Sequence, residues 1–234
     1  MTSTFQSKNR DNKSYIINIQ LDNFNLSRIL MFLPGIVLGL TVHEFSHAFV
    51  ANKCGDTTSR DQGRITLNPL KHIDLFGFIM LIVAGFGWAK PVQFKEQNLH
   101  NPKTDVIKIA VAGPIANALL AMVLSIVFSL MASRIPIYSN HPVTVMYEVI
   151  QYGIYINWGL FVFNLIPLPP LDGSHVLFHQ LKKFPALYTG LYKYGSLILF
   201  GLLIGTTFTK INFLPIWPAI EFLGKGFLSL VGYR

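Results

Sequence analysis

Residues 29–51 read ILMFLPGIVLGLTVHEFSHAFVA. About 20 apolar residues, rising 1.5 Å each, cross the hydrocarbon of a bilayer, and this run is long enough. Its last third carries His43, Glu44 and His47. Charged and metal-seeking side chains are costly in lipid and in a protein core alike. An ionisable residue inside a span therefore marks a functional site.

The rest of the chain agrees with a membrane setting. Of its 234 residues 51% are hydrophobic and 13% are charged, against about 25% charged in soluble domains. The net charge of +8 reads as basic loops facing anionic lipid. No basic stripe interleaved with aromatics is present, which excludes nucleic acid as a partner. The single cysteine, Cys54, excludes an internal disulfide and a thiolate zinc cluster within one chain. Residues 1–28 are mixed and polar and do not read as a removable leader. Within them, 14–21 (SYIINIQL) is β-prone and suggests a short strand or interfacial segment.

Further spans follow. Residues 109–132 are apolar, with small residues at 112, 113, 116 and 118 that let another helix approach closely. A third span runs from about Val143 to Ile166 and ends in NLIPLPPLDG, where Pro167, Pro169 and Pro170 forbid a continuing helix. Two weaker spans cover about 187–209 and 211–231. Residues 73–89 are apolar but short and broken by Gly77, Gly85 and Gly87, which favours a re-entrant or hairpin segment. The fold class is thus an all-α polytopic membrane protein with about five transmembrane helices and a re-entrant or hairpin segment near 73–95. It divides into an N-terminal segment (1–28), a transmembrane core (29–183) and C-terminal transmembrane helices (184–234).

If 73–89 does not cross, the end of the first span and the end of the third lie on one side. His47 and Asp172 can then meet. The loops of that side hold Lys53, Arg60, Arg64, Lys71, Lys90, Lys95, Lys103 and Lys108, and later Lys182, Lys183 and Lys193. The excess of positive charge makes it the cytoplasmic side. Lys8, Arg10, Lys13 and Arg28, ahead of the first span, run against this assignment.

His-Glu-x-x-His on a helix puts two imidazoles on one face, one turn apart, where both can bind one zinc ion. The glutamate between them is placed to act as general base on a water whose pKa the metal lowers to about 7. A catalytic zinc needs a third protein ligand and an open position. Asp172 qualifies by topology, although Asp172 also reads as the N-cap of the helix beginning GSHVLFHQL. His175 is the rival ligand. His72 reads as an interface residue beside a turn, and Asn117 as helix-packing glue.

Together, HEFSH at 43–47, AGPIAN at 112–117 and FNLIPLPPLDG at 163–173 resemble the site-2 protease family of intramembrane zinc metallopeptidases. GRITLNPLKHID at 63–74 and GFGWAKPV at 85–92 are similar to its short prokaryotic members. The resemblance implies one zinc ion per chain held by His43, His47 and Asp172, with Glu44 as base. It also implies an active-site role for Asn164 as a donor to the scissile carbonyl or its oxyanion. No stretch reads as the PDZ or CBS domain that relatives often carry.

The expected function is hydrolysis of peptide bonds within or near transmembrane segments of other membrane proteins, in the plasma membrane of a prokaryotic cell. The partners are those substrates and the lipid bilayer. A helical substrate must unwind locally, and an extended one can pair with a strand edge. The stretch 73–95 is the candidate edge, with Gly85, Gly87 and Trp88 as candidate substrate-binding residues. The alternatives are a catalytically silent membrane scaffold or chaperone, and another kind of membrane metalloprotein.

Overall fold

A computed structural model describes residues 26–84, 87–135, 142–209 and 213–233. The β-prone stretch 14–21 lies outside them. Every regular element among the described residues is helical, with one isolated antiparallel bridge between Ile73 and Ala89. The α-helices are α1 (Leu26–Lys53), α2 (Thr58–Asp61), α3 (Leu75–Ala84), α4 (Pro102–Ala132), α5 (Pro142–Asn164), α6 (Gly173–Leu181), α7 (Pro185–Thr209) and α8 (Ile216–Leu230). By length and composition α1, α4 and α7 can cross a membrane. Helix α5 is 23 residues long but carries Glu148, Gln151 and Asn157, and α8 has only 15 residues.

Helix α1 stops where its sequence tells it to. Gly55 takes a left-handed φ of 107°, a conformation that costs a residue with a Cβ. Its N–H then bonds Asn52 O at 3.2 Å, and Asp56 N bonds Ala51 O at 3.0 Å. This pair of reversed bonds satisfies carbonyls that the helix end leaves open.

Segment 73–92 folds back on itself. Asp74 caps α3 by accepting from Gly77 N at 2.8 Å. Ten residues make a helix only about 15 Å long, half a bilayer. The chain then returns extended, with Ile73 beside Ala89 and Lys90 N bonded to His72 O at 2.8 Å. Entry and exit lie side by side. Two glycines permit the close return. A Cβ on Gly77 would overlap the Trp88 carbonyl, and one on Gly87 would overlap Gly77 O and sit 2.7 Å from Leu81 Cβ.

Helices α1, α4 and α5 pack together at the centre, and α8 adds to α5. Gly35 and Gly39 stand one turn apart on α1 and let α5 come into backbone contact. A Cβ at Gly35 would be 2.8 Å from Gly153 Cα, and one at Gly39 would be 2.7 Å from Asn157 Oδ1. Beyond this crossing, Phe128, Tyr147, Ile154, Tyr155, Trp158 and Ile220 form the apolar core between α4, α5 and α8. The crossing aligns the C-terminal end of α5, and the proline-rich turn after it, with the histidine-bearing end of α1.

Candidate metal centre

His43 and His47 project from α1 toward α4, and the turn after α5 brings Asp172 to them. Asp172 Oδ2 lies 3.0 Å from His43 Nε2 and 3.3 Å from His47 Nε2. The two Nε2 atoms are 3.0 Å apart. Among the described residues these three form the one group of His, Cys, Asp or Glu side chains close enough to share an ion. His43 and His47 are buried.

The hydrogen bonds on the far side of each ring decide what the near side can do. His43 Nδ1 meets Asn117 Oδ1 at 2.6 Å, and His47 Nδ1 meets Ile109 O at 2.7 Å. Both partners are acceptors, so each Nδ1 carries the proton and each neutral ring presents a lone pair at Nε2. Two such nitrogens and a carboxylate oxygen then converge with no proton between them. Asp172 Oδ2 is buried and finds no hydrogen-bond partner of good geometry. Three convergent lone pairs call for a cation. Bonds of 2.0–2.1 Å to a tetrahedral zinc would set such donors about 3.3 Å apart, close to the separations seen here. The site also reserves room. A Cβ at Gly113 would overlap His47 Nε2 and fall 2.7 Å from His43 Nε2.

Two of the expectations for this region change. Asp172 stands at the N-cap position of α6 but makes no side-chain cap bond, because its carboxylate turns away from the helix toward the histidines. His175 does not join the group; it is exposed, with its ring 6.2 Å from that of Phe94.

Glu44 is buried, and its Oε2 accepts from Val92 N at 2.8 Å. The returning segment is held against it by the loop 56–72. Arg64, buried, donates through Nη2 to Lys90 O. Ser59 Oγ donates to Gln93 O at 2.7 Å. Asp56, fully buried, accepts from Lys95 N at 2.9 Å and Asn98 Nδ2 at 2.8 Å. His72 is not an interface residue: it is fully buried, bonded through Nε2 to Thr66 O at 2.8 Å, and burial lowers its pKa.

Asn164 sits at the last residue of α5 and donates through Nδ2 to Leu160 O at 2.9 Å. Trp88 is exposed; Gly87 turns its bare side to α3; Gly85 lies outside the described residues. An apolar cavity of about 330 Å³ opens between α1, α3, α5 and the returning segment, lined by Val37, Leu40, Phe78, Trp88, Leu160 and Phe163 among others.

Known proteins match this chain in sequence. The model of Peptidase family M50 matches residues 31–189, which include all three convergent donors. The chain belongs to peptidase family M50, the site-2 protease family. Among curated proteins, this M50 peptidase is 34% identical over 203 residues to "Putative zinc metalloprotease YwhC" of Bacillus subtilis, covering 85% of this chain and 89% of that one. It is 29% identical over 201 residues to "Putative zinc metalloprotease Rip2" of Mycolicibacterium smegmatis (83% and 74% covered). It is 29% identical over 155 residues to "Putative zinc metalloprotease MJ0611" of Methanocaldococcus jannaschii (66% and 73% covered). No solved structure matches it significantly. The M50 peptidase is thus a site-2-type zinc metalloprotease, and its apolar helices fit a membrane protein.

The residues that sequence reading undervalued lie on α4. Gly113 and Asn117 are four apart and share one helix face. That spacing within AGPIAN was the available signal that both touch the histidine rings.

Proposed function

We propose that this protein is an intramembrane endopeptidase that cuts peptide bonds within or near transmembrane segments of other membrane proteins. The observation that carries the reading is the meeting of His43, His47 and Asp172 at one end of an apolar helix, with Glu44 beside them. In the proposed topology α1, α4, α5, α7 and α8 are the five spans, α3 is re-entrant, and the site faces the cytoplasmic side of a prokaryotic plasma membrane. The basic loops that flank α1 and α4 support that side.

In this reading His43, His47 and Asp172 hold one zinc ion. Bound there, it supplies Lewis acidity and an activated water near neutral pH. Glu44 takes a proton from the attacking water and returns it to the leaving amine. Its Oε2 is steadied by Val92 N–H, which leaves Oε1 for that proton. Asn164 has two amide hydrogens; one goes to Leu160 O, and the other serves the developing oxyanion. An unwound substrate pairs along the segment that includes Gly85, Gly87 and Trp88. Apolar side chains of the substrate fit the 330 Å³ cavity beside that segment.

The test uses the purified full chain, a transmembrane substrate, and zinc content measured alongside cleavage. Glu44→Gln keeps an acceptor for Val92 N–H, so it should retain zinc and lose cleavage by roughly 10²–10⁴-fold. Undiminished cleavage by Glu44→Gln overturns the proposal.

A further inference from the structure

The two histidine rings are held by unlike partners. His47 Nδ1 bonds a main-chain carbonyl, Ile109 O, which has one polarity only. His43 Nδ1 bonds a side-chain amide, Asn117 Oδ1. An amide can present either its oxygen or its nitrogen. If Asn117 presented its nitrogen, His43 would have to accept at Nδ1 and carry its proton on Nε2, where it could not bind a metal. Something must therefore set the amide.

The setting can be traced to backbone. Asn157 Nδ2 donates to Gly153 O at 2.8 Å, a carbonyl that cannot reverse. This leaves Asn157 Oδ1 facing α4, where it accepts from Asn117 Nδ2 at 2.9 Å. The same Nδ2 donates to a second fixed carbonyl, Gly39 O, at 3.0 Å. Both hydrogens of the Asn117 amide are thereby assigned, and its oxygen is left for His43 Nδ1–H. Asn117 and Asn157 are each fully buried. A buried amide satisfied on every side is a stiff support, because breaking any one bond leaves an unpaired polar group in an apolar bundle.

We propose that Asn117 is a positioning residue for the metal centre. Backed by Asn157 and Gly39 O, it fixes His43 with the proton on Nδ1 and the lone pair of Nε2 facing Asp172. The relay joins three helices, since Gly39 lies on α1, Asn117 on α4, and Asn157 on the helix that leads to Asp172. The inference rests on the metal-holding role given to His43.

The experiment measures zinc affinity by chelator competition on the purified full chain, with thermal unfolding of the metal-free protein as a folding control. The variants are Asn117→Leu and Asn117→Asp. Asn117→Leu removes the acceptor at similar size and should weaken zinc by roughly 10–100-fold, the range for lost partners of metal-bound histidine. Asn117→Asp keeps an acceptor for His43 Nδ1–H, and as the neutral acid, which burial beside two acceptors favours, it donates its O–H to Asn157 Oδ1 or Gly39 O. It should bind zinc within about threefold of wild type and preserve the cobalt-substituted absorption bands, which Asn117→Leu should shift. Wild-type zinc affinity in Asn117→Leu overturns the inference, as does equal loss in both variants, which would mean packing alone. If Asn117→Leu does not fold, Asn117→Asp decides by the same measure: near-wild-type zinc supports the role and lost zinc overturns it. A wild-type chain that binds no zinc would instead sink the metal-holding role of His43 itself.

Discussion

Gly113 packs against His43 with no room for a methyl group: a Cβ there would lie 2.6 Å from Cε1 and 2.7 Å from Nε2 of the imidazole. In an ordinary helix interior, Gly→Ala stabilises by about 0.5–1 kcal/mol. At Gly113→Ala the clash should outweigh that gain. Zinc binding should fall sharply, and the metal-free protein should unfold below the wild-type temperature, because the methyl must displace two buried, hydrogen-bonded rings. Metal content and thermal unfolding on one preparation check this, and retained zinc would show that the rings can move aside.

Asp172→Ala removes the carboxylate on which both rings converge. Zinc affinity should fall by more than the roughly 10–100-fold that a lost supporting hydrogen bond costs, and cleavage should disappear with it. Stripping wild type with a chelator should reproduce that loss, and added zinc should restore only the wild type. Substantial zinc in Asp172→Ala would move the third ligand elsewhere.

Gly35→Leu should damage the site from a distance. The new side chain would meet Gly153 Cα, where even a Cβ has only 2.8 Å. Forcing α1 and α5 apart should destabilise the protein by on the order of 3 kcal/mol, and should loosen zinc because α5 leads into the turn that carries Asp172. A lowered unfolding temperature without weaker metal binding would uncouple the crossing from the site.

Asp56 gives the loop clamp a pH dependence. Burial pushes its carboxyl up, but hydrogen bonds from Thr58, Asn98 and Lys95 outweigh this, and the pKa is lowered. A carboxyl with a depressed folded pKa adds stability above its unfolded pKa, about 3.9, which is lost as pH falls through the folded value. Proteolysis of the 93–98 region should therefore quicken from about pH 4 downward in wild type. Asp56→Asn should be cut faster at neutral pH and show less change on acidification. Parallel pH profiles for the two proteins would remove Asp56 from the clamp.

Val37→Phe should fill part of the apolar cavity while leaving the metal donors alone. Cleavage should shift toward substrates with smaller apolar side chains near the cut, with zinc content unchanged. A substrate panel read by mass spectrometry checks this; an unchanged preference would place the side-chain pocket elsewhere.

The apolar runs, the prolines after Ile166 and the broken stretch 73–89 carry enough pattern to place most helix ends within a few residues, but α4 starts at Pro102, seven residues before its apolar run, because its first turns are polar. The pair His43 and His47 is legible for the same reason: four residues on a helix share a face whatever surrounds them. Asp172 needed topology as well as pattern, and its cap-like position pointed to a local role that its side chain does not take. His72 looks like an interface residue because nothing adjacent in sequence announces its burial; the returning segment, whose Lys90 N bonds His72 O, lies eighteen residues on. The direction of the Asn117 amide is a property of three helices meeting, so no single stretch could disclose it.

The histidines and Asp172 are separated by more than a hundred residues of chain, and this orders events during synthesis. A nascent chain that has emerged through α4 offers two imidazoles and the asparagine that supports one of them, but no carboxylate. Only when α5 and the turn beyond it have been made does the third donor arrive. In the proposed reading, tight zinc loading is thereby deferred until the chain beyond α5 has been made.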